Sequence, residues 1–342
     1  MAAFDCGGAR LTVSEESSLL NALRPAAGGR RLRAAAPALL IVFSLLLVVV
    51  GERLAPGFAT VDNMLQLAKL ASFLGLAAMG QTIVMLTGGI DLSIAWVLTA
   101  SAVVFTGFCD GQDANVASAA SAAVIVGLVT GFLNGFGIVK LRISPIVMTL
   151  AMNNIMLGAT LIYTGGTPSG SSSPLVRALA TGNVGAVPAM VILWCLLAVV
   201  AIMAIRFTRG GRALLGVGEN PRVSYLTGIR NDRVIISAYV ACGLITSITG
   251  ILFAAFSGAS FLGMGDQFVL PTVAAVVLGG TSMFGGRGGY GGTMVAVLFT
   301  TILTTVLVIG AIPQGVRSIV FGVALLAAIS AQRYLTHRDN RD

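Results

Sequence analysis

The feature that most constrains this chain is a series of apolar stretches, each close to the length that crosses a lipid bilayer, with nearly all the charge in the short segments between them. A helix rises about 1.5 Å per residue, so about 20 apolar residues cover a hydrocarbon layer of about 30 Å. Stretches of that kind fall at 34–51, 63–85, 91–108, 115–139, 143–163, 188–205, 234–257, 268–283, 289–309 and 316–332. They predict an all-α fold, a polytopic transmembrane helical bundle of about ten spans. Composition points the same way: 56% of the 342 residues are hydrophobic and 10% charged, against about 25% charged in an ordinary soluble domain. Too few charges remain to coat a water-facing surface, and lipid becomes the expected surrounding.

Charge placement sets the orientation. Basic residues are retained on the cytoplasmic side of membrane helices. With ten spans and the N-terminus inside, 17 of the 21 Lys and Arg fall in inner segments. They are Arg10, Arg24, Arg30, Arg31 and Arg33; Lys140 and Arg142; Arg206, Arg209, Arg212, Arg222, Arg230 and Arg233; Arg287; and Arg333, Arg338 and Arg341. Both termini are therefore expected to be cytoplasmic. The domain reading is a cytoplasmic tail over 1–33, a transmembrane domain over 34–332 and a cytoplasmic tail over 333–342. The first tail is too long, and its apolar run too late, for a cleaved signal peptide.

Several function classes are excluded or disfavoured. The basic residues lie between apolar runs and form no patch interleaved with aromatics, which argues against nucleic acid as a partner. Cys6, Cys109, Cys195 and Cys242 contain no CxxC pair, so neither a disulfide framework nor a zinc site is indicated. His337 is the only histidine and sits in a charged tail beside Arg338 and Asp339. A P-loop ends in Gly-Lys, but Lys69 follows Ala68 and Lys140 follows Val139. GxSxG and HExxH are absent as well. No catalytic residue, metal ligand or cofactor is expected in this chain.

Two glycine-rich motifs interrupt the apolar pattern. Thr87-Gly88-Gly89-Ile90-Asp91-Leu92-Ser93 joins two runs. Its glycines allow positive φ, and Asp91 or Ser93 can cap the next helix. Equally, an ionisable group near membrane depth tends to face a bundle interior or a cavity, which makes the motif a candidate pathway or gate. The second motif, Gly279-Gly280-Thr281 with Phe284-Gly285-Gly286-Arg287-Gly288-Gly289-Tyr290-Gly291-Gly292, contains GxGxxG but lacks the preceding strand and following acidic residue of a dinucleotide site. Close helix packing on small residues accounts for it better. The stretch 268–283 is short and ends in glycines, so it is expected to be re-entrant or broken. Gln66, Lys69, Gln81, Asn134, Asn153, Asn154, Asp266 and Gln267 are the remaining polar residues in or beside spans. Interhelical hydrogen bonding is their default role, and Asn134 and Asn153 join the pathway candidates. Of the longer loops, 164–187 is expected outside with a short helix near Leu175–Ala180. Loop 206–233 is expected inside with a helix over Gly210–Val217.

TGGIDLS at 87–93, the stretch from Gly135 to Gly166 with Ile143-Ser144-Pro145, GENP at 218–221 and AAVVLGGTSMFGGRG at 274–288 together resemble the membrane subunits of bacterial ABC importers for monosaccharides, the ribose, xylose and galactofuranose permease group. The resemblance runs from about 60 to 332. It implies a permease subunit that moves a pentose or related sugar across the bacterial inner membrane by alternating access. It also implies a second permease subunit, identical or not, a periplasmic sugar-binding protein outside and ATPase subunits inside that carry the ATP and magnesium. Gly218, Glu219, Asn220, Pro221 and Arg222 would then couple to the ATPase, and 164–187 would face the binding protein. Thr87, Gly88, Gly89, Asp91, Ser93, Asn134 and Asn153 would serve pathway or gate, with membrane lipid around the bundle. The family commonly continues TGGIDLS with Val-Gly, where this chain has Ile94-Ala95-Trp96, a change that would tighten the helix start. The competing readings are an ion-coupled secondary transporter, for which Asp91 and Asp266 are the candidate carboxylates, and a membrane-embedded enzyme, which the missing motifs disfavour.

Overall fold

The computed structural model describes the backbone of residues 27–339 and the side chains of 38–330. Among the described residues there are thirteen α-helices: α1 (Ala27–Leu54), α2 (Val61–Leu86), α3 (Ile94–Cys109), α4 (Val116–Lys140), α5 (Pro145–Thr164), α6 (Pro174–Thr181), α7 (Ala189–Phe207), α8 (Arg209–Glu219), α9 (Pro221–Leu226), α10 (Asn231–Ser257), α11 (Val269–Leu278), α12 (Tyr290–Ile309) and α13 (Gln314–Asp339). Two-residue strands at Asn183–Val184 and Val187–Pro188 pair antiparallel in the loop after α6. The first and last helices run past the expected ends of the spans, to Ala27 and Asp339. Most of the two expected tails, with Cys6 and the side chain of His337, lies outside the described residues.

Each of the ten apolar stretches contains a helix, but among the described residues six helices are long and apolar enough to cross a membrane. These are α2, α4 with its leading 3-10 turn, α5, α7, α10 and α12. The apolar parts of α3, α11 and α13 are shorter. At 10 residues, α11 rises only about 15 Å, so the stretch 268–283 is broken, as its glycines suggested.

Packing is organised around α2, whose apolar window is 89% buried. Around it, α10 packs on α4, α3 and α2, while α12 packs on α1, α2 and α11. The α4–α10 crossing rests on Gly127, Gly131 and Gly135, one helical turn apart. A Cβ on any of them would strike the backbone of α10 at Gly243, Tyr239–Val240 or Ile236. Small residues let backbones approach where lipid supplies no hydrophobic drive for association. Three other helices are tied by hydrogen bonds. The Trp194 indole donates to the Tyr290 hydroxyl at 2.7 Å, and that hydroxyl donates to the Gly75 carbonyl at 2.7 Å, joining α7, α12 and α2 in the interior.

The connecting segments gather at two ends, in the grouping that the alternation of spans predicts. At one end Gly111 N donates to Ser171 O, Ser172 N to Gly258 O, and Leu175 N to Asp113 Oδ1. At the other, arginine-rich end, Lys140 pairs with Asp232 at 2.7 Å, and the segments after α2, α8 and α11 meet. The break in the tenth-helix region lies between these ends. Ser260 Oγ is 2.7 Å from Thr106 Oγ1, near the close of α3, whereas Gly265 N donates to Thr99 Oγ1 at 3.0 Å. Between Ser260 and Gly265 the chain thus descends about 10 Å alongside α3, the rise of that helix from Thr99 to Thr106 at about 1.5 Å per residue.

Candidate transport site and docking face

The turn after α2 is shaped by its own polar side chains. Gly88 takes φ +84°, and a Cβ there would press on the Phe284 carbonyl at 3.2 Å. Gly89 lies directly under the Tyr239 hydroxyl, with no room for a side chain. Asp91 Oδ1 accepts from both the backbone N–H and the hydroxyl of Ser93, and Asn134 Nδ2 donates to Ser93 Oγ at 2.9 Å. Such short carboxylate-to-backbone bonds organise turns. Ser93 is the residue before α3, yet its side chain makes no capping bond to that helix. Asp91, Ser93 and Asn134 are all buried.

Asn153 is not in that cluster. Its Oδ1 accepts from Trp96 N at 3.4 Å, bridging α5 to the first turn of α3. Asp91, Ser93 and Asn134 therefore form one hydrogen-bonded set, Thr87, Gly88 and Gly89 form the turn beside it, and Asn153 meets the chain at Trp96.

Each letter of GENP has a physical task. Gly218 lets α8 approach the α2 turn: a Cβ would collide with the Leu86 carbonyl and with Gly286 N. Glu219 forms a two-point pair with Arg287, Nη2 to Oε1 at 2.8 Å and Nε to Oε2 at 3.1 Å. Asn220 caps α9 by accepting from Arg222 N and Val223 N, and Pro221 occupies its first turn, where a missing N–H costs nothing. Opposite, Gly286 N donates to Leu86 O at 3.0 Å, and Gly285 and Gly286, both at positive φ, lie against Gly88, Gly218 and Glu219. The sequence treats TGG, GENP and FGGRG as three motifs. In the structure they are one backbone-to-backbone joint.

Sequence reasoning missed what α8 and α9 present outward. Arg206, Arg209, Arg212, Arg222, Arg230 and Arg233 are exposed. Among them α9 raises Tyr225, 72% exposed, and Leu226, 78% exposed. Exposed apolar side chains in a basic segment make this face a candidate docking surface. The available signal was the apolar pair inside a charged loop, which GENP overshadowed.

Residues 63–329 match the family model described as a branched-chain amino acid transport system / permease component. The chain belongs to that family. Among the permeases it resembles, the ribose import permease protein RbsC of Escherichia coli (strain K12) is 30% identical over 293 residues, covering 84% of this chain and 91% of the relative. RbsC of Bacillus subtilis (strain 168) is 32% identical over 295 residues, covering 84% and 90%. The autoinducer 2 import system permease protein LsrC of Shigella flexneri is 31% identical over 291 residues, covering 83% and 84%. No solved structure matches the chain. Membership in the permease family agrees with the resemblance carried by TGGIDLS, GENP and the 274–288 motif. It also makes the chain a multi-pass membrane transport component.

Proposed function

We propose that this permease is the membrane subunit of an ABC importer that moves a monosaccharide, a pentose or related sugar, across the bacterial inner membrane. Support for the sugar comes from the import permeases it resembles, two of them for ribose. The observation that carries the mechanism is the joint between α8–α9 and the turn after α2. An ATPase seated on Tyr225, Leu226 and the surrounding arginines would act on Gly218–Arg222. Through Gly218 and Glu219 it would reach Thr87, Gly88 and Gly89 backbone to backbone, and so the buried set of Asp91, Ser93 and Asn134 that gates the route, with Asn153 beside it. In this reading the arginine-rich end and both termini are cytoplasmic. The end with loop 164–187 meets a periplasmic sugar-binding protein, and a second permease subunit completes the route within the lipid. ATP and magnesium belong to the ATPase. Differential affinity of the partners for outward- and inward-open states supplies the bias.

Co-purification decides the docking face. Replacing Tyr225 and Leu226 together by Ala is expected to cut retention of the ATPase at least tenfold, since exposed aromatic anchors dominate interfaces. The chain itself should remain folded in detergent. Retention at the wild-type level would show that α9 is not the seat. Sugar uptake by the purified chain alone, driven by an ion gradient without ATPase, would establish the secondary-transporter reading instead.

A further inference from the structure

We infer that the non-helical stretch between α10 and the 3-10 turn Asp266–Phe268 that leads into α11 lines the solute route, and that the Asp266 carboxylate at its close accepts hydrogen bonds from solute hydroxyls there. The proposal deepens the importer reading and rests on it for the identity of the solute.

Depth is the first observation. Gly265 lies against the Ala95 backbone and bonds to Thr99, at the beginning of α3. Thr99 is ten residues from the end of α3 at Cys109, which puts it about 15 Å in from that end. From the arginine-rich end, Ser93 is held by Asn134, six residues before the end of α4 at Lys140, or about 9 Å in. Asp266, one residue beyond Gly265, is therefore deep in the bundle and far from either face, although in sequence it reads as a span-end residue.

Exposure is the second. Asp266 and Gln267 are both exposed, while their neighbours Met264, Gly265 and Phe268 are buried. Gln267 bonds only back to the Met264 carbonyl, at 3.3 Å. No described residue donates a hydrogen bond to the Asp266 carboxylate, which lies over Gly263. An aspartate facing hydrocarbon at mid-depth costs several kcal/mol, and such residues face a water-filled cavity or another polar surface. Backbone outside a helix is tolerated at that depth on the same condition. Asp91, by contrast, is buried and its Oδ1 already accepts two bonds from Ser93. Asp266 is exposed, and sugar hydroxyls are donors that match it.

The test uses the assembled importer in proteoliposomes, with Cys6 and Cys195 replaced by Ser and Asp266→Cys introduced. A membrane-impermeant thiol reagent is expected to label the new cysteine, and d-ribose delivered by the binding protein is expected to slow that labelling. In the native-cysteine protein, Asp266→Ala should lower uptake of radiolabelled d-ribose at sub-saturating concentration about tenfold, the loss of a charge-assisted hydrogen bond. Asp266→Asn, which keeps one acceptor, should restore part of it through KM. No labelling would place the residue against lipid or the second subunit and overturn the inference. Labelling with wild-type uptake by Asp266→Ala would overturn the sugar contact. Absence of ATP-driven uptake by the wild-type assembly would sink the importer reading instead, while labelling still reports whether Asp266 meets water.

Discussion

Gly218 shows how little freedom single positions have in this protein. Its α-hydrogen occupies the space where a methyl would strike both a carbonyl of the α2 end and an amide of the 284–288 loop. Gly218→Ala is expected to separate these segments, lowering ATPase-coupled transport well below half while leaving the chain folded. Uptake per ATP hydrolysed reads the effect. Tyr290 is a second such position, because Tyr290→Phe strands the Trp194 N–H and the Gly75 carbonyl together. The expected cost is roughly 1–3 kcal/mol, read as a lower melting midpoint in detergent. Asp91 marks the limit of reading at this scale. Its motif is visible in the sequence and leaves capping and pathway open. Its surroundings include Asn134, bonded to Ser93, and Tyr239 over Gly89, both arriving from other helices, and local spacing carries no trace of them.

Among elements, the long helices were legible and the interrupted ones only in part. Apolar length finds a stretch whatever its continuity, so it locates α3 without its shortness, while the glycines after α11 betray that helix as short. Besides the glycines that end α11 at Leu278, a second interruption falls ahead of it at 258–265, where the chain is held by side-chain bonds to α3 such as Thr99 to Gly265. The short helices around α6 and α8 were legible from their polarity and starting residues, and α9 follows from Asn220-Pro221 once the cap is recognised. Glu219 was read as an ATPase contact, yet its nearest charged partner is Arg287 of this same chain. The pair is half exposed, so its worth to stability is under about 1 kcal/mol. Its worth to coupling is expected to be larger. Glu219→Arg or Arg287→Glu alone should depress transport-coupled hydrolysis severalfold, and the two together should recover most of it. A double variant no better than the singles would show that the ion pair does not carry the coupling.

For the molecule as a whole, the sorting of loops into two ends was readable from the alternation of apolar stretches, with most of the arginines falling in one set of loops. How the two ends communicate was not readable. Lys69 is the clearest case: a charge in the middle of an apolar run, it is 5% exposed and donates to the Thr181 carbonyl at 3.0 Å. It thereby meets the negative end of α6 and fastens the 164–187 loop to the most buried helix. Lys69→Met is expected to release that helix, seen as faster amide hydrogen exchange over 174–181 with the exchange of α10 unchanged.

From Lys69 to Leu86 the helix α2 runs about 26 Å, with α6 held at one end and the Gly218–Gly286 joint at the other. A rod gripped at both ends obeys thermodynamic reciprocity. Whatever factor a bound partner at the α6 end adds to the affinity of a partner on α9, the partner on α9 returns by the same factor. The two bindings then need not be studied on both sides of the membrane. Titrating one partner while measuring the other fixes the free energy that α2 transmits, and Lys69→Met should bring that factor toward one.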